Sequence, residues 1–194
     1  MTTTEALDAA KNRLYLEGST EFDTELTDFF STAVDRLYPK VQQEVAVQTV
    51  NATVDSYGEA TVDLASGPST ALDDVRAVEA TEGQRWYPVD SIYRHGTSLR
   101  VRGLETDVTQ LRLYGLKKYV VSGSSVALPA HFELPVIWYM MSEFYNLLAG
   151  NKSKFNVYQQ QAGGNAVDDM RAEADYFEEK ANEYIDEKAT LYGA

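Results

Sequence analysis

The chain has 194 residues, no cysteine, and a formal net charge of -13 from 17 Lys and Arg against 30 Asp and Glu. That length suits one domain, or one domain carrying a large insertion, and it can bury a core without disulfides or metals. The missing cysteine excludes disulfide frameworks, thiolate zinc sites and thiol catalysis, and the negative surface disfavours general nucleic-acid binding because it repels phosphate.

The first residues, MTTTEALDAAKN, contain no basic segment followed by an apolar run, so no secretory signal is expected. The most apolar stretch, Leu134 to Leu148, is interrupted by Glu143 and Asn146. It is shorter than the ~20 apolar residues of a bilayer span, and a soluble chain is expected. Abundant Asp, Glu, Thr and Val with sparse Lys fits a salt-rich cytoplasm, where ions screen self-repulsion. An ordinary acidic mesophilic protein shares that balance.

In chain order, Leu7, Ala10 and Leu14 recur at helical spacing, predicting a first helix that Gly18 ends. A second helix is expected from an Asp23 N-cap to Pro39, with Leu26, Phe29, Phe30, Ala33, Val34 and Leu37 on one face. From Val41 the period changes to two. Val45, Val47 and Thr49 alternate with Ala46, Gln48 and Val50, as in a strand. Further short strands are predicted at Ala60–Leu64, Val75–Ala80, Arg85–Val89, Leu99–Arg102, Gln110–Tyr114 and Lys118–Val121, separated by turn formers such as Tyr57-Gly58 and His95-Gly96. The Ser-, Gly-, Pro- and Asp-rich stretch from Asp63 to Asp74 reads as a long exposed loop.

After Pro129 the helical period returns. Pro135 fits a first helical turn, and Val136 to Met141 make a helix apolar nearly all round, the expected central buried helix, ending near Gly150-Asn151-Lys152. A segment from Phe155 to Gln161 follows, interrupted by Gly163-Gly164. In the last helix Val167, Met170, Ala174, Phe177, Ala181, Tyr184, Lys188 and Leu191 form a heptad seam suited to packing on another helix, within the chain or on a neighbour. On another face Asp175, Glu179, Glu183 and Glu187 follow at i, i+4, a ridge whose repulsion calls for salt or a basic partner. The predicted class is α+β: a helical bundle domain of residues 1–40 and 129–194, with an inserted antiparallel β-sandwich or small barrel at 41–128. No internal repeat or low-complexity segment appears.

Charge is unevenly spread. Between Gln84 and Lys118, seven basic residues face three acidic ones, a net +4 that leaves -17 for the remainder. Arg85, Arg94, Arg100, Arg102 and Arg112 of that segment are therefore candidates for an inter-subunit basic patch, in a molecule suited to head-to-tail association or to an oppositely charged partner. Solvated arginines on the outer face of a sheet are the plainer alternative.

Constellations for chemistry are lacking. His95 and His131 stand far apart in sequence and read as surface or capping residues. Asp168-Asp169 fit the first turn of the last helix, where they complement its dipole. Gly163-Gly164 has no Lys-Ser or Lys-Thr after it, and Ser122–Ser125 lacks the setting of a nucleophile elbow. No catalytic residue, metal site or cofactor is expected. The thirteen tyrosines tilt toward protein contacts, since each offers contact area with a polar tip.

The segment Leu128-Pro129-Ala130-His131-Phe132-Glu133-Leu134-Pro135-Val136-Ile137-Trp138-Tyr139 resembles the "Pro, a few residues, Leu, then buried aromatic helix" element of head–tail connector (adaptor) proteins of tailed viruses. In that family a helix with a charged, aromatic C-terminal stretch follows. Phe155, Tyr158, Tyr176, Phe177 and Tyr184 stand there in this chain. The outline covers the whole chain, whereas the sequence-level likeness is confined to about the last third. The resemblance implies a closed ring of subunits joined head to tail, usually dodecameric, extending the portal channel toward the tail. It implies that the C-terminal helix docks on the portal through Tyr184, Ile185, Leu191 and Tyr192, alongside Phe177 and the carboxylates Glu179, Glu183 and Glu187. It further implies a tail-facing loop containing Asp63, Ser66, Asp73 and Asp74, with DNA passing through an acidic lumen without specific binding. The β region is larger, and the chain more acidic, than in the simplest members.

Three other readings compete: another neck or tail component such as a tail-completion or tail-tip subunit, an acidic decoy that binds a basic protein, and a hydrolase with carboxylates in the β region. The basic sheet segment weighs against the decoy, and the missing triad or metal set weighs against the hydrolase.

Overall fold

The structure, a computed structural model, describes residues 1–65, 72–82 and 85–192, with backbone only at 45–49, 82 and 189–192. The chain is α+β, with N-terminal helices α1 and α2 and C-terminal helices α3 to α5 packed together and an antiparallel β region inserted between them. It divides into two compact units, Met1–Val41 with Lys118–Ala194, and Gln42–Lys117.

In the helical unit, α1 spans Thr3–Arg13 and opens on a capping box: Thr2 Oγ1 accepts from Glu5 N, and Glu5 Oε2 accepts from Thr2 N at 2.7 Å. It stops before the expected Gly18. Tyr15 enters the left-handed region (φ 58°), and the Leu16 amide turns back to donate to the Lys11 carbonyl at 2.9 Å. Helix α2 spans Asp23–Asp35. Its N-cap is Phe22, with no side-chain cap, so Asp23 is the first helical residue and not the predicted N-cap. The Asp23 carboxylate forms an ion pair with Lys11 of α1 instead.

Helix α3 (Glu133–Gly150) follows a 3-10 turn at Ala130–Phe132, and eleven of its residues are buried. Burial all round, Trp138 and Tyr139 included, makes it the axis of the bundle, and burying each large apolar side chain stabilises by about 1.5–3 kcal/mol. Helices α1, α2, α4 (Lys152–Ala162) and α5 (Met170–Tyr192) all contact it. Residues Lys118–Leu128, assigned from sequence to the β region, lie in this unit. Tyr119, Val126 and Leu128 enter its core. The chain start holds the segment in place: Thr3 N donates to Ser124 O at 2.8 Å, and Val126 N to Met1 O at 3.0 Å. The strand predicted at Lys118–Val121 is absent, because its backbone leaves the sheet once Tyr119 is drawn into the helical core.

The β unit contains β1 (Gln43–Asn51), β2 (Glu59–Asp63), β3 (Asp74–Glu82), β4 (Arg85–Val89), β5 (Ser91–His95), β6 (Ser98–Arg102) and β7 (Gln110–Lys117). They form a four-stranded sheet, β1-β7-β3-β4, and a three-stranded sheet, β2-β6-β5, all pairs antiparallel, which together make a half-barrel. Alternation decides the faces. Ala60, Val62, Leu99 and Val101 of one sheet, with Val78, Ala80, Leu111 and Leu113 of the other, share one core. Strand β5, unforeseen from sequence, has the pattern SIYRH, in which only Ile92 packs on that core. At Gly115 of β7 a Cβ would lie 2.0 Å from the Asp74 carbonyl oxygen, beside the irregularity in β3 between Val75 and Ala77. Only glycine lets the strands approach so closely there.

Candidate interaction surfaces

Helix α5 divides its residues between two fates. Met170, Ala174, Ala181 and Ile185 are buried against the bundle. Phe177 stacks on Tyr145 of α3, and Tyr184 meets the Trp138 ring edge-on at 5.6 Å. The seam is therefore used within the chain. Ile185, expected as an exposed anchor, is fully buried and offers a partner nothing. Tyr184 and Phe177 are half-buried, and the Leu191 and Tyr192 side chains lie outside the described residues.

The opposite face carries the acidic ridge. Asp175, Glu179, Glu183 and Glu187 are all exposed. Glu187 lies 3.3 Å from its neighbour Lys188, whereas Glu179 and Glu183 make no ion pair among the described residues. Two carboxylates of α5 outside this ridge serve the fold: Glu178 reaches Arg36 and Asp186 reaches Lys40. Arg36 also pairs with Glu143 at 2.9 Å and covers the Tyr139 ring at 4.5 Å, which ties α2 to α3 and α5. Elsewhere in this core, burial pushes the phenols of Tyr145 and Tyr158 above their ordinary range.

The five arginines do not form one patch. Arg100 and Arg102 lie on the outer face of the three-stranded sheet, because their neighbours Leu99 and Val101 point inward. They share Glu59 (3.5 and 2.6 Å), which holds the Arg102 guanidinium above its ordinary range, and Arg102 covers the exposed Tyr93 ring at 5.1 Å. Arg112 belongs to the other sheet, 3.9 Å over the Trp86 ring and 3.6 Å from Glu79, whose carboxylate also accepts from Tyr114 at 2.8 Å. Arg85 is exposed at the start of β4. Arg94 reaches back to the Asp73 carbonyl and lies 3.8 Å from Asp74. Spread over separate strands and faces, and mostly paired, they make no single cationic surface. Sheet order, which sequence spacing does not reveal, separates them.

The predicted loop is anchored at both ends. Asp63 Oδ1 accepts from Ala65 N at 2.9 Å, and the Asp73 amide donates to Leu116 O at 2.8 Å. Asp74 pairs with Arg76 at 2.9 Å. Ser66 lies outside the described residues.

Two features escaped the sequence reading. Tyr57, at a turn between Val54 and β2, is 91 % exposed. The Tyr57-Gly58 pair marks a turn in sequence, but nothing there says how bare the ring stands. In the helical unit, the end of α3 and the starts of α4 and α5 frame an open groove of about 410 Å³. Its lining comes from two stretches, Leu148–Phe155 and Asp168–Arg171, separated by most of α4, which leaves no local signal.

Among the described residues no group of three or more His, Asp or Glu could hold a metal ion, and no helix is long and apolar enough to cross a membrane. His95 lies on β5 and His131 in the 3-10 turn before α3. No protein-family model and no curated protein sequence matches this chain.

Proposed function

We propose that this chain is a structural subunit of the neck of a tailed virus, an adaptor that docks on the portal and carries the DNA channel toward the tail. Copies join head to tail in a closed ring, with twelve the expected number. Its partners are further copies of itself, the portal protein above and a tail or neck protein below. It acts without catalysis or cofactor, at the head–tail junction of the virion after assembly in the host cytoplasm. DNA passes it without specific binding, because a surface this acidic gives phosphate few cationic partners.

The observation that carries this reading is the position of the Leu128–Tyr139 segment. The residues that resemble the connector element form the 3-10 turn and first half of α3, around which both chain ends pack. The β region is an insertion in that bundle, as the resemblance implies. With Ile185 buried, the docking face of α5 is its acidic ridge and not an apolar seam.

The test is charge neutralisation. In Glu179→Gln, Glu183→Gln, Glu187→Gln, binding to purified portal should weaken at low salt and lose most of its salt dependence. Portal binding unchanged at every salt concentration contradicts docking through α5.

A further inference from the structure

Three arginines of this chain are held the same way, by a carboxylate at the edge of the guanidinium and an aromatic ring against its face. Arg36 has Glu143 at 2.9 Å and the Tyr139 ring at 4.5 Å. Arg102 has Glu59 at 2.6 Å and the Tyr93 ring at 5.1 Å, and Arg112 has Glu79 at 3.6 Å and the Trp86 ring at 3.9 Å. A guanidinium suits both contacts, because it donates from its edge and stacks with its weakly hydrated face.

One end of the β unit offers the same ring and carboxylates with no cation of the described residues on them. Tyr57 is 91 % exposed there, where Tyr93 beneath Arg102 is 54 % exposed. Its turn has little freedom. Asp55 Oδ1 accepts from Tyr57 N at 2.8 Å and from Glu59 N at 2.9 Å, and the Leu104 amide donates to Gly58 O at 3.1 Å. That last bond brings Glu105 and Asp107, just beyond Leu104, to the same end, where both are exposed and make no ion pair among the described residues. The nearest arginine, Arg102, is already taken by Glu59 and Tyr93. Both turns lie beyond the Asn51–Gln110 pair that ends the β1–β7 ladder, whereas the chain enters and leaves the unit beside the Gln43–Lys117 pair. At about 3.4 Å per residue the two ends of that ladder are about 25 Å apart. A fixed, outlying turn loses little loop entropy on binding, and its carboxylates repel phosphate and favour a cationic protein segment.

We infer that this end of the β unit receives an arginine side chain of another protein, its guanidinium stacked on the Tyr57 ring and paired with Glu105 or Asp107. The source is a different chain and not a second copy. This chain's own arginines in the β unit are spread over separate faces and mostly paired, and Lys152 and Arg171 share their groove with Asp168 and Asp169. The choice of a neck or tail protein as that source rests on the adaptor reading; the contact itself does not.

Ser56→p-benzoylphenylalanine puts a photoreactive group beside Tyr57 in the full chain, and the assembly that purifies with the chain is irradiated. Cross-linking to a different polypeptide, at a segment containing arginine, is the expected result. Adding Tyr57→Phe should keep the yield, since the ring remains, whereas Tyr57→Ser should cut it about fivefold. Glu105→Gln with Asp107→Asn should lower the yield and remove most of its dependence on salt. All four positions are exposed, so the variants keep their fold. A cross-link to a second copy, to nucleic acid or to a segment without arginine overturns the contact, as does no cross-link or an equal yield with Tyr57→Ser. The adaptor reading fails separately: an arginine-segment cross-link in an assembly found away from the head–tail junction keeps the contact and removes the neck or tail protein as its source.

Discussion

The ring of Phe177 on α5 stacks on that of Tyr145 on α3, centroids 6.0 Å apart and planes 11° from parallel. A residue that sequence marks as an interface aromatic is thus committed to its own core. Phe177→Ala should destabilise the helical unit by about 2 kcal/mol, less than the 3–5 kcal/mol of a fully buried phenylalanine because the ring is half-buried. Urea unfolding followed by helical circular dichroism checks this. A variant of unaltered stability that loses portal binding would return Phe177 to the docking surface.

The contact of β7 with β3 gives a sharper expectation. Gly115→Ala places a methyl 2.0 Å from the Asp74 carbonyl oxygen, a backbone atom that cannot swing aside. The β unit should lose about 3 kcal/mol or more, or fail to fold. Amide exchange resolved by residue reads it: protection should fall at Val78, Leu111 and Leu113 while α3 stays protected. Unchanged exchange in the β unit contradicts the close approach.

Alkaline pH should act on the helical unit. Unfolded tyrosine ionises near pH 10, whereas burial holds Tyr145 and Tyr158 protonated to higher pH in the fold. Above about pH 10 the unfolded chain binds fewer protons than the native one, so stability falls as pH rises. Below that pH these groups make stability neither rise nor fall. Thermal midpoints measured across the alkaline range should decline, and less steeply in Tyr158→Phe. Equal slopes in the two proteins would sink this account.

Arg36 joins three helices through Glu143, Glu178 and Tyr139. Arg36→Ala removes both ion pairs and leaves Glu143 partly buried without its cation. The cost should be about 1–2 kcal/mol after allowing for solvent screening. A double-mutant cycle with Glu143→Gln should show coupling between the two sites. Additive effects would mean that the pair contributes nothing.

Helical periodicity made most of the bundle legible. The apolar face of α2, the all-round burial of α3 and the packing seam of α5 follow from spacing alone. What failed depended on distant partners. The heptad line along α5 points to Tyr184, yet the fully buried residue there is Ile185. Met170 to Ala181 and Ala174 to Ile185 each span eleven residues, so the buried stripe follows a straight helix and has drifted off the heptad line by the last turns. Strand β5 lacks alternation because an edge strand beside solvent needs little of it. The strand-and-turn pattern runs on past Lys117, whereas the hydrogen bonds from Met1 and Thr3 that claim Ser124 and Val126 for the helical unit cross more than 120 residues and leave no local mark. The arginine patch dissolved for a related reason: spacing tells which face of a strand a residue is on, but not which sheet the strand joins.

The adaptor reading is tested most directly by labelling intact particles with an antibody to this chain and imaging them by electron microscopy. Label concentrated where head meets tail is the predicted result. Label at the tail tip would make the chain a tail component, and none on any particle would make it no part of the virion; either contradicts the adaptor role.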